Sequence, residues 1–586
     1  MTKYGVTLLV ALTLTFAASA KDADERWVER TLRALTFDEK VGQLLVPVVR
    51  GGFRNVESEE FSVLRRDIVE LHAGGYHVAL GDPAGVAVLI NEMQRAAKVP
   101  LMITADFEGG VGFVIPGATR FPLAMAIGAT GSEDFSYQVG KATAIEGRAL
   151  GVGVNFYPVV DVQNNPANPI INIRSFGEDP KKVSSLATAY VRGTQEAGML
   201  ATAKHFPGHG DVSSDSHLTL PVLDITRARM DAVELVPFKA AIDNGVAAVM
   251  TAHIYLPQLD SEKGLPATLS YNVLTKLLRE DLGFKGLLFT DALDMRGVTN
   301  DFTNEEAAVR SIIAGNDVLL FPPDPVASFN AVKAAAESGR IPMARLDDAV
   351  RRILRAKSQL GLDKYRPADL TTIARTVGSK AHRDIAQKIA DSAVTLVRDN
   401  AGAVPLKLSA DQHLLHVNLL DNRSGWREGP VGRVLNSELP KRYAKTTSVQ
   451  LDNLSGTNEY TMTRQLAEMA DAVVVATFIR VAAYKGSIDL TPDQTKLLRD
   501  VAKMKKPFVV ISFGSPYLLH HLQELPAYVL TYDTYPGAEM AAVKALAGEI
   551  PFQGKLPISL PGLYPVGHGL TRALSLTTSA RLLNTH

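Results

Sequence analysis

The stretch 201–217, Ala201-Thr202-Ala203-Lys204-His205-Phe206-Pro207-Gly208-His209-Gly210-Asp211-Val212-Ser213-Ser214-Asp215-Ser216-His217, turns within a few residues from a short apolar run into a glycine-rich loop crowded with titratable groups. The run Ala201 to His205 does not alternate apolar with polar residues, so it reads as a strand of a parallel sheet buried on both faces. Runs of the same kind lie on either side of it: Val41 to Val49, Gly75 to Leu80, Leu101 to Asp106, Val154 to Val162, Ala247 to His253, Gly286 to Asp291 and Val318 to Phe321. Amphipathic stretches such as Ala142 to Ala149 and Tyr271 to Glu280 fall between them and suit covering helices. This α/β alternation predicts a (β/α)8, TIM-like barrel, with an open doubly wound sheet as the competing arrangement. Polar chemistry collects just after the runs, at Asp106 and Glu108, Lys204 and His205, His253 and Asp291. That is the edge at which barrels carry their sites.

With 586 residues and 46% hydrophobic content, the chain can build more than one core. Arg345 to Leu360 reads as a long helix, and the polar segment Asp363 to Thr372, with Pro367, as the start of a linker. A second series of runs follows at Ala393 to Val397, Leu414 to Leu419, Ala472 to Ala476, Phe508 to Phe513 and Ala527 to Thr531. The expected plan is a signal peptide over 1–20, a catalytic barrel over 21–362, a linker over 363–380 and a smaller C-terminal α/β sandwich over 381–586. The signal peptide is inferred from Lys3, the apolar run Val6 to Phe16 and Ala18-Ser19-Ala20, with cleavage after Ala20. The run is too short to span a bilayer comfortably, so the expectation is a periplasmic or secreted chain without stable membrane insertion. The 62 basic and 62 acidic residues leave no net field to recruit nucleic acid. The absence of cysteine excludes disulfides, zinc-thiolate sites and cysteine nucleophiles.

Between Lys204 and His217 stand three histidines, two aspartates and a lysine, more titratable groups than a purely structural loop gathers. Two chemistries compete for them. His205, His209, Asp211 and His217 could hold a metal ion in a hydrolase. Alternatively, Asp215 orients His217 and stabilises its protonated form, making a group that both gives and takes a proton near neutrality.

The loop 204–217 resembles the signature of bacterial β-N-acetylglucosaminidases of glycoside hydrolase family 3. Phe37-Asp38-Glu39-Lys40-Val41-Gly42-Gln43-Leu44, Asn172-Ile173-Arg174-Ser175-Phe176-Gly177 and Thr290-Asp291-Ala292-Leu293-Asp294-Met295 resemble further landmarks of that family, in order. Thr395 to Asn400 and Gly554 to Ser559 are similar to parts of its second, α/β-sandwich domain. The resemblance implies a retaining exo-β-N-acetylglucosaminidase that removes terminal β-linked N-acetylglucosamine from peptidoglycan fragments or chitooligosaccharides. It implies Asp291 as nucleophile, His217 with Asp215 as the acid/base pair, and Asp106, Arg174, Lys204 and His205 as ligands of the sugar. No metal or organic cofactor is implied, and the partner is a carbohydrate. Independently, Asp291 ends an apolar run, where a barrel strand would present it to a cleft; a helix N-cap is its structural alternative, for which Asp294 is better placed. One departure stands out. The family continues Asp-x-Glu-Gly-Gly-x-Val-x-Arg, whereas Asp106-Phe107-Glu108-Gly109-Gly110 is followed by Val111-Gly112-Phe113-Val114, with Arg120 beyond the Pro116-Gly117 turn. The alternatives are a β-glucosidase or xylosidase of the same family, a β-glycoside phosphorylase, a metal-dependent hydrolase and a non-catalytic wall-binding protein.

Overall fold

The structure, a computed structural model, describes residues 23–426, 429–486 and 488–572; the expected signal peptide and its cleavage site lie outside these residues. Nine parallel strand segments form the first domain: β1 (Leu45–Val46), β2 (Val48–Arg50), β3 (Gly75–Ala79), β4 (Met102–Ala105), β5 (Val154–Asn155), β6 (Leu200–Phe206), β7 (Ala248–Thr251), β8 (Leu287–Phe289) and β9 (Leu319–Leu320). β2 to β8 pair in sequence order. β1 continues into β2 around Pro47 and pairs with β9, and a bridge joins Val318 to Phe289, so the sheet curls round into an eight-staved barrel. Its interior is packed rather than open: His77 stacks on Phe156 at 5.5 Å, and Phe321 and Phe289 meet these rings edge-on at 4.8 and 5.0 Å.

The strands are shorter than the apolar runs suggest, each for a local reason. Phe37–Gly42 is a helix closed by a Thr36–Glu39 capping box, so the run from Val41 is divided between helix and strand. After Asn155 the chain reaches Pro158, which has no N–H for the ladder, and only a bridge from Val159 to Lys204 continues the pairing. The stretch from Tyr271 forms a π-helix over Asn272–Asp281. At the N-terminal end of the barrel Asp317, wholly buried, is bonded by Arg279 at 2.7 Å, Arg352 at 3.0 Å and Arg345 at 3.3 Å and accepts the Leu288 N–H at 3.0 Å. One carboxylate thereby joins β8, β9 and two outer helices.

Residues 363–380 do not run free between the domains. Asn91 on the barrel exchanges hydrogen bonds with Ala368, and the helix Leu370–Thr376 follows. Glu146, buried in the helix Glu133–Ala149, accepts the Thr119 and Gly378 N–H groups and bonds His382 at 2.7 Å. The second domain is a six-stranded sheet of β10 (Thr395–Asp399), β11 (His413–Leu420), β12 (Lys445–Leu451), β13 (Ala472–Ile479), β14 (Phe508–Gly514) and β15 (Ala527–Leu530). Their order is β10-β15-β14-β13-β11-β12, parallel except for β10 against β15. Helices cover both faces. The core on one face takes in Leu123, Met125, Ala126 and Ile173 from the barrel, so the two domains share buried apolar surface.

Candidate active site

A cavity of about 600 Å³ opens at the C-terminal ends of the barrel strands. Its floor belongs to the barrel and its roof to the second domain, through Trp426, Arg480, Tyr484 and Asp533 among others.

On one side lies a dense ionic cluster. Lys204, near the end of β6, reaches Asp106 at 2.7 Å and Glu108 at 2.8 Å. Arg174 grips Glu108 with two parallel hydrogen bonds of 2.9 and 2.8 Å, the strong geometry for a guanidinium on a carboxylate. Burial opposes the charge on Glu108, but Arg174 and Lys204 hold its carboxyl well below the usual range. Burial likewise pulls on the Lys204 ammonium, which Asp106 and Glu108 nevertheless keep raised. His77 lies 3.6 Å from Asp106, and burial draws its imidazole down to about 4. His205 donates from Nδ1 to Asp161 Oδ2 over 2.7 Å and sits 3.4 Å from Arg174 through Nε2.

On the other side is the loop that follows β6. Gly210 packs so closely on Val162 that a Cβ would fall 1.8 Å from the Val162 carbonyl oxygen, so only glycine fits there. Asp161 binds the His209 N–H at 2.7 Å, and His209 Nε2 lies 2.9 Å from Ser216 Oγ. Burial pulls the His209 imidazole down to about 4, in keeping with a neutral ring that shapes the loop. Beyond it His217 bonds Asp215 Oδ1 twice, through Nδ1 at 2.7 Å and through its own N–H at 2.9 Å. Asp215 is almost fully buried while His217 keeps 23% of its side chain exposed. Burial works against the Asp215 charge, and the hydrogen bonds from His217 and from the Tyr484 N–H lower its carboxyl nonetheless.

Asp291 stands just beyond β8 and faces the same cavity. Its N–H approaches Thr251 Oγ1 at 3.4 Å, and its Oδ1 accepts the Ala292 N–H at 2.8 Å. Burial disfavours its charge; His205, His253 and His217 together hold the carboxyl below the ordinary aspartate value. Asp294, by contrast, is raised by burial.

All seven residues singled out in the sequence meet here, with Asp215 behind His217. The four groups of the metal reading do not converge: His205 and His209 share Asp161, and Asp211 pairs with Arg229 at 3.4 Å. Among the described residues no three of His, Asp or Glu are arranged to hold a metal ion. Val114 is buried and apolar, whereas Arg120 lines the cavity, stacked 5.0 Å from the Phe113 ring and 4.9 Å from that of Tyr535. Its guanidinium bonds both oxygens of Asp533, at 2.9 and 3.0 Å. The sequence places Glu108 at the site edge without giving it a role, and it points neither to Asp161 nor to the second-domain groups. Glu108 lies in a quoted motif and Asp161 at the end of an apolar run; the others have no local signature.

Comparison with known proteins gives this arrangement its class, that of a glycoside hydrolase. The Glycosyl hydrolase family 3 N terminal domain matches residues 36–356 and the Glycosyl hydrolase family 3 C-terminal domain residues 326–571, and the chain belongs to that family. It is 31% identical over 582 residues to a beta-N-acetylglucosaminidase/beta-glucosidase of Cellulomonas fimi, covering 93% of this chain and 98% of that one. It is 36% identical over 369 residues to beta-hexosaminidase A of Pseudoalteromonas piscicida, covering 58% of this chain and 61% of that one. Among solved structures, a glycoside hydrolase family 3 beta-N-acetylglucosaminidase from Paenibacillus sp. str. FPU-7 superposes with a TM-score of 0.80 at 34% identity, covering 90% of this chain and 99% of that one. A beta-glucoside phosphorylase superposes with a TM-score of 0.81 at 27% identity, covering 92% and 96%.

Proposed function

We propose that this chain is a retaining exo-β-N-acetylglucosaminidase that acts in the periplasm or outside the cell on terminal β-linked N-acetylglucosamine of peptidoglycan fragments or chitooligosaccharides. The observation that carries the reading is the 2.7 Å bond from His217 Nδ1 to Asp215, which leaves Nε2 for proton transfer in the cavity that Asp291 also faces. The names and close superposition of the relatives support the sugar, and the N-terminal sequence pattern supports the location.

In the first step the Asp291 carboxylate attacks the anomeric carbon and the glycosidic C–O bond breaks. His217, protonated, gives its Nε2 proton to the departing oxygen. In the second step water attacks the glycosyl-aspartate ester and passes its proton to Nε2, and the carboxylate is released. Asp215 holds the ring in the tautomer with Nδ1–H bonded to it and supports the positive charge of the first step. Asp106, Lys204, Arg174 and His205 offer charged donors and acceptors to the hydroxyls of the terminal sugar.

Phosphorolysis is the second reading, favoured by the likeness to the beta-glucoside phosphorylase and by an imidazole acid/base, which does not repel an incoming phosphate as a carboxylate would. Nitrophenyl β-glycosides of N-acetylglucosamine, glucose and xylose, each assayed with and without phosphate, test both. The expected result is preference for the N-acetylglucosaminide, with free sugar as product whether or not phosphate is present. Preference for the glucoside or xyloside, or release of a sugar 1-phosphate, overturns the proposal.

A further inference from the structure

We infer that the second-domain loop 480–486 is a positioning element for the acid/base pair, acting through the backbone N–H of Tyr484 on Asp215 and hence on His217. The inference rests on the roles proposed above for those two residues. His217 occupies one carboxylate oxygen of Asp215, Oδ1; the other, Oδ2, accepts the Tyr484 N–H at 2.9 Å. With 1% of the Asp215 side chain exposed, bulk water has little access to take over that second bond. Tyr484 adopts a left-handed backbone, φ +63°, which residues other than glycine seldom do and keep only where their surroundings fix them. Its ring meets the His217 ring edge-on at 4.9 Å.

The loop is anchored at its root. Asp421, directly after β11, accepts the Arg480 N–H at 2.7 Å and pairs with the ammonium of Lys485, which also donates to the Arg480 carbonyl at 2.9 Å. Arg480 directly follows β13, the neighbour of β11, so the anchor ties the loop to the C-terminal ends of two central strands of the second sheet. At Gly486, φ +70°, a Cβ would come within 3.3 Å of Leu218, which seats the far end of the loop on the segment carrying the dyad. Three ordered parts therefore act in series: the ends of β11 and β13, the Tyr484 amide, and the carboxylate with its imidazole. The orientation of the proton donor is set from the domain that does not contain it.

The test uses the full-length chain with the amide of residue 484 changed to an ester, by incorporating the hydroxy-acid analogue of tyrosine, which removes the N–H and keeps the side chain. We compare kcat/KM, which reports the first chemical step, for a β-linked N-acetylglucosamine disaccharide and for the nitrophenyl glycoside. The expected loss on the disaccharide is about tenfold, the order of one hydrogen bond to a charged acceptor. On the nitrophenyl substrate, whose leaving group needs little protonation, it is less than about twofold. Lys485→Met should change the ratio of the two rates in the same direction, and Lys485→Arg should restore it. An unchanged ratio in the ester variant, whether both rates fall together or neither falls, overturns the inference. If the ester variant does not fold, an unchanged ratio in Lys485→Met does the same. His217→Ala, measured in parallel, separates the two levels: a flat leaving-group dependence there overturns the acid/base role itself, whereas a steep one beside a flat ester variant overturns only the role of the loop.

Discussion

Asp291 keeps its charge in a cleft whose burial disfavours it, because the imidazoles of His205, His253 and His217 offset the lost solvation. Asp291→Asn retains the shape and removes the attacking charge, so turnover should fall by about 10⁴- to 10⁶-fold while thermal unfolding stays close to that of the parent. Lost stability with the rate per folded molecule preserved would make Asp291 a structural cap instead. Because the folded carboxyl is depressed, it stays charged above the ordinary aspartate value and is neutralised only as pH falls through its lowered one. For a nitrophenyl substrate the acid limb of kcat/KM should therefore lie below about pH 3.9. His217→Ala should slow cleavage of sugar–sugar linkages by about 10²- to 10⁴-fold and affect the nitrophenyl glycoside less. Azide should restore turnover of the accumulated covalent intermediate, and Asp215→Asn should cost less than His217→Ala at every leaving group. Loss to the same degree across a leaving-group series, with no response to azide, would take the acid/base role away from His217. These side chains were legible in the sequence because they crowd into short segments at the ends of apolar runs. Tyr484 was not, since the group that matters is a main-chain N–H whose direction depends on a left-handed backbone angle, which tyrosine does not announce.

At the level of elements, the runs located the barrel staves but not their ends. A strand buried on both faces looks like any other apolar run, and its limits are set by Pro158 or by the Thr36 capping box rather than by hydrophobicity. β12 carries no such signal because, at the sheet edge, Lys445 to Gln450 are exposed or half-buried, only Leu451 is buried, and no continuous apolar run results. Asp317 is the element-scale counterpart of the site carboxylates. Burial disfavours its charge, and Arg279, Arg345 and Arg352 hold it lowered. Asp317→Asn leaves three guanidinium groups against a neutral amide at the foot of the barrel, so denaturant unfolding should show a loss of roughly 3–5 kcal/mol. Turnover per folded molecule should be unchanged, because the cavity lies at the opposite ends of the strands. With a depressed folded value, the stabilisation from Asp317 is present above the unfolded aspartate value of about 3.9 and disappears as pH falls through the folded one. Loss of stability in the parent that sets in well above that range would point to other groups.

For the whole molecule, the presence of two α/β domains was visible in the sequence as two series of runs separated by a polar segment, but the joint use of the cleft was not. Contacts between residues hundreds of positions apart, such as Arg120 with Asp533, leave no local pattern. A fragment ending near Asp363 would expose Leu123, Met125, Ala126 and Ile173, which lie in the core shared with the second domain. We expect such a fragment to self-associate in size-exclusion chromatography and to turn over disaccharide far more slowly than the full chain; a monomeric, fully active fragment would show that the barrel suffices alone. The Arg120–Asp533 clamp also bears on how such proteins recombine. A chimera that grafts a relative's second domain onto this barrel at the segment near 370 would take the two halves of the clamp from different parents, and a neutral residue at the position of Asp533 would leave the buried Arg120 facing no carboxylate there. Crossovers at that seam are thus tolerated best where positions 120 and 533 keep opposite charges, so that the ionic contact across the cleft makes the two domains travel together.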